Sequence, residues 1–286
     1  MKTLKIIFCC ICLSHGVIEA HPGIGIVIDS KGNVFYTDLA HVWKISSDGE
    51  LSIAVKDIHT HELYIDSEDN LYGEHEWYEG EATDKWGNYV WCLTSDGVFE
   101  KVIPDVEGFL DNNTLVRDPQ GNSHWSEKLG DHQLLRKQSV GGENSLMTNH
   151  HFDDIRWMHF SKHSNNLYVV DNLKIKKVTP EGEVIVIADK LKEKESIFDV
   201  SDRHYVYGIW TDQKRNVFVA VYGSGEVKKI DSKGKATTIY ESGIFWAPCG
   251  GAVAPDGTLW IMEFSKRNRT RVRRISENGE HTIYKG

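Results

Sequence analysis

One short turn recurs six times along this chain, and that recurrence limits the folds open to it more than any other feature. It reads Ser47-Asp48-Gly49, Ser95-Asp96-Gly97, Gly141-Gly142, Pro180-Glu181-Gly182, Ser232-Lys233-Gly234 and Glu277-Asn278-Gly279, with 40 to 52 residues between successive glycines. Asp-Gly and Asn-Gly between alternating runs predict two-residue hairpins, because such turns need a positive φ that Gly and Asn tolerate. Val42-Trp43-Lys44-Ile45 and Leu51-Ser52-Ile53 flank the first copy, and Val272-Arg273-Arg274-Ile275 and His281-Thr282-Ile283 the last. A second turn column precedes the first in every unit. It reads Asp29-Ser30-Lys31-Gly32-Asn33, Asp66-Ser67-Glu68-Asp69-Asn70 and Asp118-Pro119-Gln120-Gly121-Asn122, then Ser164-Asn165-Asn166, Asp212-Gln213-Lys214-Arg215-Asn216 and Pro255-Asp256-Gly257-Thr258. Each unit is therefore strand, turn, strand, loop, strand, turn, strand.

Four strands in about 40 to 50 residues are the signature of a propeller blade. The expected fold is an all-β, six-bladed β-propeller with four antiparallel strands per blade. The blades fall near residues 22–57, 58–106, 107–150, 151–193, 204–246 and 247–286. The first and last units each hold four strands, so the ring is expected to close by packing, without exchanging a strand. Helix-period patterns of useful length are absent.

Charged residues make up 26% of the chain and hydrophobic ones 40%, which fits a globular body and not disorder. The net charge of -9 argues against nucleic acid and anionic membrane surfaces as partners. The first twenty residues differ from the rest. Lys2 and Lys5 precede an apolar run, Ile6 to Leu13, and small residues follow at Ser14-His15-Gly16 and Ala20. That layout is expected of a secretory signal peptide over residues 1–20, and the run is too short to span a membrane. The expectation is a secreted or periplasmic monomer with one domain over residues 21–286, beginning after cleavage between His15 and Pro22. Losing Lys2, Lys5 and Glu19 makes the body one unit more negative. Two cysteines remain, Cys92 in the third strand of the second blade and Cys249 in the inner strand of the sixth. Those blades are not neighbours, and a disulfide needs Cα atoms within about 7 Å, so both thiols are expected unpaired.

The unit Gly25-Ile26-Val27-Ile28-Asp29-Ser30-Lys31-Gly32-Asn33-Val34-Phe35-Tyr36-Thr37-Asp38 resembles NHL-type repeats. Ala254-Pro255-Asp256-Gly257-Thr258-Leu259-Trp260-Ile261-Met262-Glu263 is similar to a blade of the streptogramin lyase group. The wider superfamily includes the SMP-30, gluconolactonase and paraoxonase type propellers. The resemblance covers nearly the whole body, and it is specific for architecture more than for activity.

In this geometry the starts of inner strands and the ends of second strands meet on one face around the channel. Asp38, Glu127, Asp171 and Glu263 hold one position in four repeats, and His75 holds it in the second. So many anions around one opening repel unless a cation or a network offsets them, which motivates a divalent-metal site; the plainer alternative is a solvated acidic rim. The second blade is the richest, with His59-Thr60-His61-Glu62 opening its inner strand and Glu74-His75-Glu76-Trp77-Tyr78 ending its second strand. A long loop to Asn88 is expected to follow, with Tyr89-Val90-Trp91 resuming the sheet.

Histidine suits proton transfer near neutral pH, and a carboxylate can orient it. The streptogramin lyases use a His general base beside Mg²⁺, so the resemblance implies His61 or His75, with Glu74 or Glu263, as the analogues by type. The lactonases hold a central Ca²⁺ with Glu, Asn and Asp, so it implies Glu62, Asn113 and Asp154 as metal ligands. The carboxylate column adds Glu127 and Glu263. Ca²⁺ or Mg²⁺ suits carboxylate and amide oxygens, and Zn²⁺ suits imidazoles. Arg156 could place a positive charge in the channel and neutralise the ring without metal. Trp77, Tyr78 and Tyr222 would suit ligand anchoring. Two functions stay open: a metal-assisted lyase or hydrolase of a small molecule, and a non-catalytic propeller that holds a peptide, glycan or protein.

Overall fold

In the computed structural model, residues 22–108, 115–196 and 200–286 are described; residues 1–21, Asn113 and its neighbours, and residues 197–199 lie outside them. The signal-peptide and Asn113 expectations therefore fall on residues not described. Six antiparallel sheets follow one another along the chain, each from a single continuous segment. The first blade comprises Ile26–Ile28, Val34–Thr37, Val42–Ile45 and Leu51–Val55, and the last Trp246–Val253, Leu259–Ser265, Thr270–Ile275 and His281–Tyr284. Strand order equals chain order in every blade, so no strand is exchanged at the closure. Among the described residues the third blade has three strands, Ser123–Leu129, His132–Gln138 and Asn144–Leu146, and at its inner edge Arg117 makes an isolated bridge to Ser123.

Burial follows from radial packing, in which each blade has a neighbour on both faces. Middle strands are apolar on both sides, as in Val217–Val221, where all five residues are buried. Outer strands face water: Phe99–Glu107 and His281–Tyr284 are mostly exposed. Buried clusters join adjacent blades. Ile26, Tyr36 and Ile45 of the first blade pack with Ile261, Phe264 and Val272 of the last, which is the closing contact. Cys92 and Cys249 are both buried and unpaired, as expected.

The hairpins differ from the expectation in one respect. At the first, Gly49 donates its N–H to Ser46 O (2.8 Å) and Ser46 donates to Glu50 O (2.8 Å), so three residues turn the chain. Gly49 has φ +93 whereas Asp48 is not among the positive-φ residues. The turn is a type I turn followed by a left-handed glycine, a three-residue closure that needs one permissive residue and not two. A channel of about 1200 Å³ runs between the inner strands, lined by Ile26, Glu62, Arg117, His159, Gly208 and Gly251 among others.

Candidate active site

Most strand-end carboxylates are satisfied inside their own blades. In the first blade, Asp38 accepts from the N–H groups of Ala40 and His41 and from Trp43 Nε1 (2.8 Å). In the third, Glu127 accepts from Arg136 Nε (2.7 Å) and is 46% exposed. In the fourth, fully buried Asp171 pairs with Lys176 Nζ (2.5 Å) and accepts from the N–H of Asp154 (2.7 Å). In the fifth, Glu226 opens the third strand, accepts from Ser224 Oγ (2.7 Å) and pairs with Lys194 (2.9 Å). In the sixth, Glu263 is fully buried, accepts from Arg271, Tyr240 (2.8 Å) and Ser242 (2.7 Å), and lies 3.4 Å from Arg273 Nε. Burial raises the Glu263 pKa, but the bonds from Arg271 and Ser242 outweigh it and hold the carboxyl below its ordinary range. Both oxygens of Glu263 are engaged. Arg136, Lys176 and Arg271 lie on the third strands of their blades, Lys194 lies in the connection before the fifth blade, and Arg156 is not among these cations.

The second blade is built otherwise. Its strands are Leu63–Ile65, Leu71–Tyr78, Trp86–Leu93 and Phe99–Glu107. Pairing continues through Trp77↔Gly87 and Tyr78↔Trp86, so the loop expected up to Asn88 is mostly laddered hairpin, and its tip is residues 79–85. Gly87 permits this because a Cβ there would fall on the ring of Trp77. Trp77 thus packs across the hairpin, while Tyr78 is 56% exposed with its hydroxyl donating to Asp84.

On this blade Glu62, Glu74 and Glu76 have no lysine or arginine in salt-bridge range among the described residues, and two histidines face Glu74 and Glu76. His61 Nδ1 lies 3.8 Å from Glu74 Oε1 and 3.9 Å from Glu76 Oε1. His59 Nε2 lies 3.9 Å from Glu76 Oε2, and the two imidazoles meet edge to face at 4.8 Å. One ligand atom from each of His59, His61 and Glu76 falls within 4.8 Å of the others. His59 Nδ1 lies 2.8 Å from the carbonyl of Leu39. A carbonyl only accepts, so Nδ1 carries a proton and Nε2 is the ring nitrogen turned toward Glu76.

Glu74 sits beneath this group. One oxygen accepts from the N–H groups of His61 and Glu62 (3.1 Å), and the other is buried with no hydrogen-bond partner. Burial pushes Glu74 up to about 7 against the bonds it accepts, and pushes Glu62 up to about 8 with help from the Glu74 charge. Carboxyls raised to this range hold or release a proton near neutral pH.

His61, Glu74 and Glu62 are therefore together. His75 points to the other side of its strand: its Nδ1 accepts from the His59 N–H (2.9 Å) and its ring lies 4.8 Å from Tyr89. Burial, then the nearby cations, lower its pKa. Asp154 pairs with Arg203 (3.1 Å), and Tyr222 is buried against Tyr207 at 4.9 Å. Glu127 and Glu263 stand in their own blades, apart from the cluster. His59 and Glu76 complete it, and the signal for them is the i, i+2 spacing of His59/His61 and of Glu74/Glu76 on adjacent segments, which puts each pair on one side of its chain.

No protein-family model matches the chain, and no curated protein matches it. Solved structures do resemble it. Virginiamycin B lyase from Staphylococcus aureus aligns with a TM-score of 0.50 at 15% identity, covering 93% of this chain and 85% of the lyase. A gluconolactonase from Xanthomonas campestris aligns at 0.57 and 14%, covering 93% and 87%. The calcium-binding protein regucalcin from Agrobacterium tumefaciens aligns at 0.53 and 13%, covering 84% and 81%. No helix among the described residues is long and apolar enough to cross a membrane. At these identities the likeness concerns architecture alone: the chain is a six-bladed β-propeller of the shape shared by virginiamycin B lyase, gluconolactonase and regucalcin.

Proposed function

We propose that the second-blade corner of the channel mouth is the active site of a metal-assisted lyase or hydrolase acting on a small molecule. The observation that carries this reading is Glu74 and Glu76 facing His59 and His61 with no lysine or arginine in range among the described residues, where other blades give their strand-end carboxylates cations or hydrogen-bond donors. His59, His61 and Glu76 would hold a divalent cation, and two imidazoles with one carboxylate suit a transition-metal ion better than Ca²⁺. Such an ion supplies Lewis-acid polarisation of a substrate carbonyl. The chain's own residues do the proton chemistry. Glu74, poised near neutrality with one oxygen unengaged, accepts a proton from the substrate or returns it to the leaving group. The backbone N–H groups of His61 and Glu62 hold its other oxygen in place. The printed names of the structural neighbours, a lyase and a gluconolactonase, define two reactions to screen: ring-opening elimination and lactone hydrolysis.

The test is metal binding. At a hundred times its dissociation constant an ion stabilises the fold by about 2.7 kcal/mol, a rise of a few degrees in melting temperature for a chain this long. Zn²⁺ or Mn²⁺ is expected to give that rise and chelator to abolish it. His61→Ala or Glu76→Gln should remove the effect, and Glu127→Gln should not. If chelator changes neither melting nor turnover of lactones and cyclic esters, the metal-assisted reading fails. A second reading, a non-catalytic binding propeller, draws support from Ile244 and Phe245, 81% and 73% exposed in the loop that enters the last blade.

A further inference from the structure

At the seam of the fourth and fifth blades two arginines come together. Arg203 pairs with Asp154, and Arg156 lies within reach of the charges of both. Arg203 Nε donates to Asp154 Oδ2 (3.1 Å), and Asp154 donates its own N–H to Asp171. Arg156 follows on the inner strand Ile155–Ser161. Its Nε is buried and has no hydrogen-bond partner. Burial first, then the charge of Arg203, pull Arg156 below its ordinary value, with Asp154 opposing. Tyr207 lies near Arg156 and belongs to a buried aromatic cluster. Trp157 lies 5.6 Å from Tyr207, and Tyr207 4.9 Å from Tyr222, with both tyrosines buried.

A partly buried guanidinium with an unfilled donor is costly, and the cost is offset by an anion placed against its fork. A carboxylate has the planar pair of oxygens that a guanidinium matches, and a flat apolar body suits a neighbourhood of aromatic rings. We propose that Arg156 and Arg203 form a binding site for the carboxylate of a small aromatic acid, on the same face as the second-blade corner. The site needs no metal and no reaction at that corner.

Benzoate titrated into the full chain, with benzamide and inorganic phosphate as comparators, tests this by calorimetry. Benzoate should bind and benzamide should not. Arg156→Gln and Arg203→Gln should each weaken benzoate by at least about tenfold, the usual loss of one charge-assisted hydrogen bond. Arg203 is 58% exposed, so its variant folds even where the Arg156 variant does not. Arg136→Gln, in the third blade, should leave affinity unchanged. Glu76→Gln should abolish metal binding and leave benzoate binding intact, which separates this site from the second-blade reading. Equal binding of benzoate and benzamide overturns the proposal. So does phosphate binding without benzoate binding, or wild-type benzoate affinity in the Arg203 variant.

Discussion

His124 lies only 1% exposed, between the ring of Phe160 at 5.4 Å and Asp118 Oδ2 at 3.4 Å. Burial lowers its pKa to about 4, and the Asp118 charge opposes that only partly. In the unfolded chain the same histidine takes a proton near pH 6.5. Between those values the unfolded state binds a proton that the folded state refuses. The contribution is therefore fully present above pH 6.5 and is lost as pH falls toward 4, on the order of 3 kcal/mol over that window. His124→Phe keeps the stack on Phe160 and removes the titration. Proton uptake on unfolding near pH 5 should then drop by about one, measured from the slope of stability against pH. An unchanged slope would mean that His124 is already protonated in the fold. At this scale the sequence was legible for residue types and illegible for partners. The acidic column was visible as a repeat, but its neutralisers, Arg271, Lys176 and Arg136, lie on third strands at offsets that differ from blade to blade. For the same reason the sequence pointed to Arg156 as the compensating charge, while the structure gives that work to Arg136, Lys176 and Arg271 in the third, fourth and sixth blades.

Hairpins are where local chemistry speaks most plainly, since glycine enters the left-handed region at no steric cost, while Asp69, Asn165 and Arg215 show that other turn residues reach it too. The sequence therefore revealed each turn but not its length, because Gly at the last position serves the two-residue and the three-residue closures alike. Gly142 and Gly182 share φ +86. Beyond Gly142 nothing lies within 4 Å of an added Cβ, whereas at Gly182 a Cβ would meet Met147 O at 2.7 Å. Gly142→Ala should cost about 1 kcal/mol, the ordinary penalty of a left-handed alanine. Gly182→Ala should cost clearly more, because the carbonyl of the preceding blade must move as well. Denaturant midpoints of the two variants measure the difference, and equal losses would show that the seam between the third and fourth blades yields freely. The second-blade hairpin is the element that sequence misjudged. Gly87 reads as a loop residue, yet it is the strand position that lets Trp77 lie across the sheet.

Over the whole molecule, blade number and blade order were legible because each blade is made by local pairing of consecutive strands, so a period in sequence becomes a rotation in space. The seams were not, because they depend on which inner-strand residues are small enough for the next blade's backbone to approach. Gly208 shows the rule between the fifth and sixth blades, where an added Cβ would lie 2.6 Å from Cys249 O. Gly250 shows it at the closure, where a Cβ would fall on the carbonyl of Ile24, the residue that leads into the first strand. Ile24 and Gly25 both donate to His61 O at 2.8 Å, so the closing segment is also tied to the inner strand that carries the candidate site. Gly250→Ala must push the first and last blades apart or displace Ile24 from those bonds. A backbone carbonyl cannot swing aside as a side chain can, so the expected loss is several kcal/mol, at the upper end for single substitutions. Gly243→Ala, in open space before the same blade, should be nearly silent. The two effects on the metal-induced melting shift should differ as well. If the closure holds the second-blade corner in place through Ile24 and His61, the Gly250 variant loses part of that shift along with its stability, and the Gly243 variant keeps all of it. Thermal unfolding with and without metal measures both quantities, and a Gly250 variant as stable as the parent would refute this account of how the ring closes.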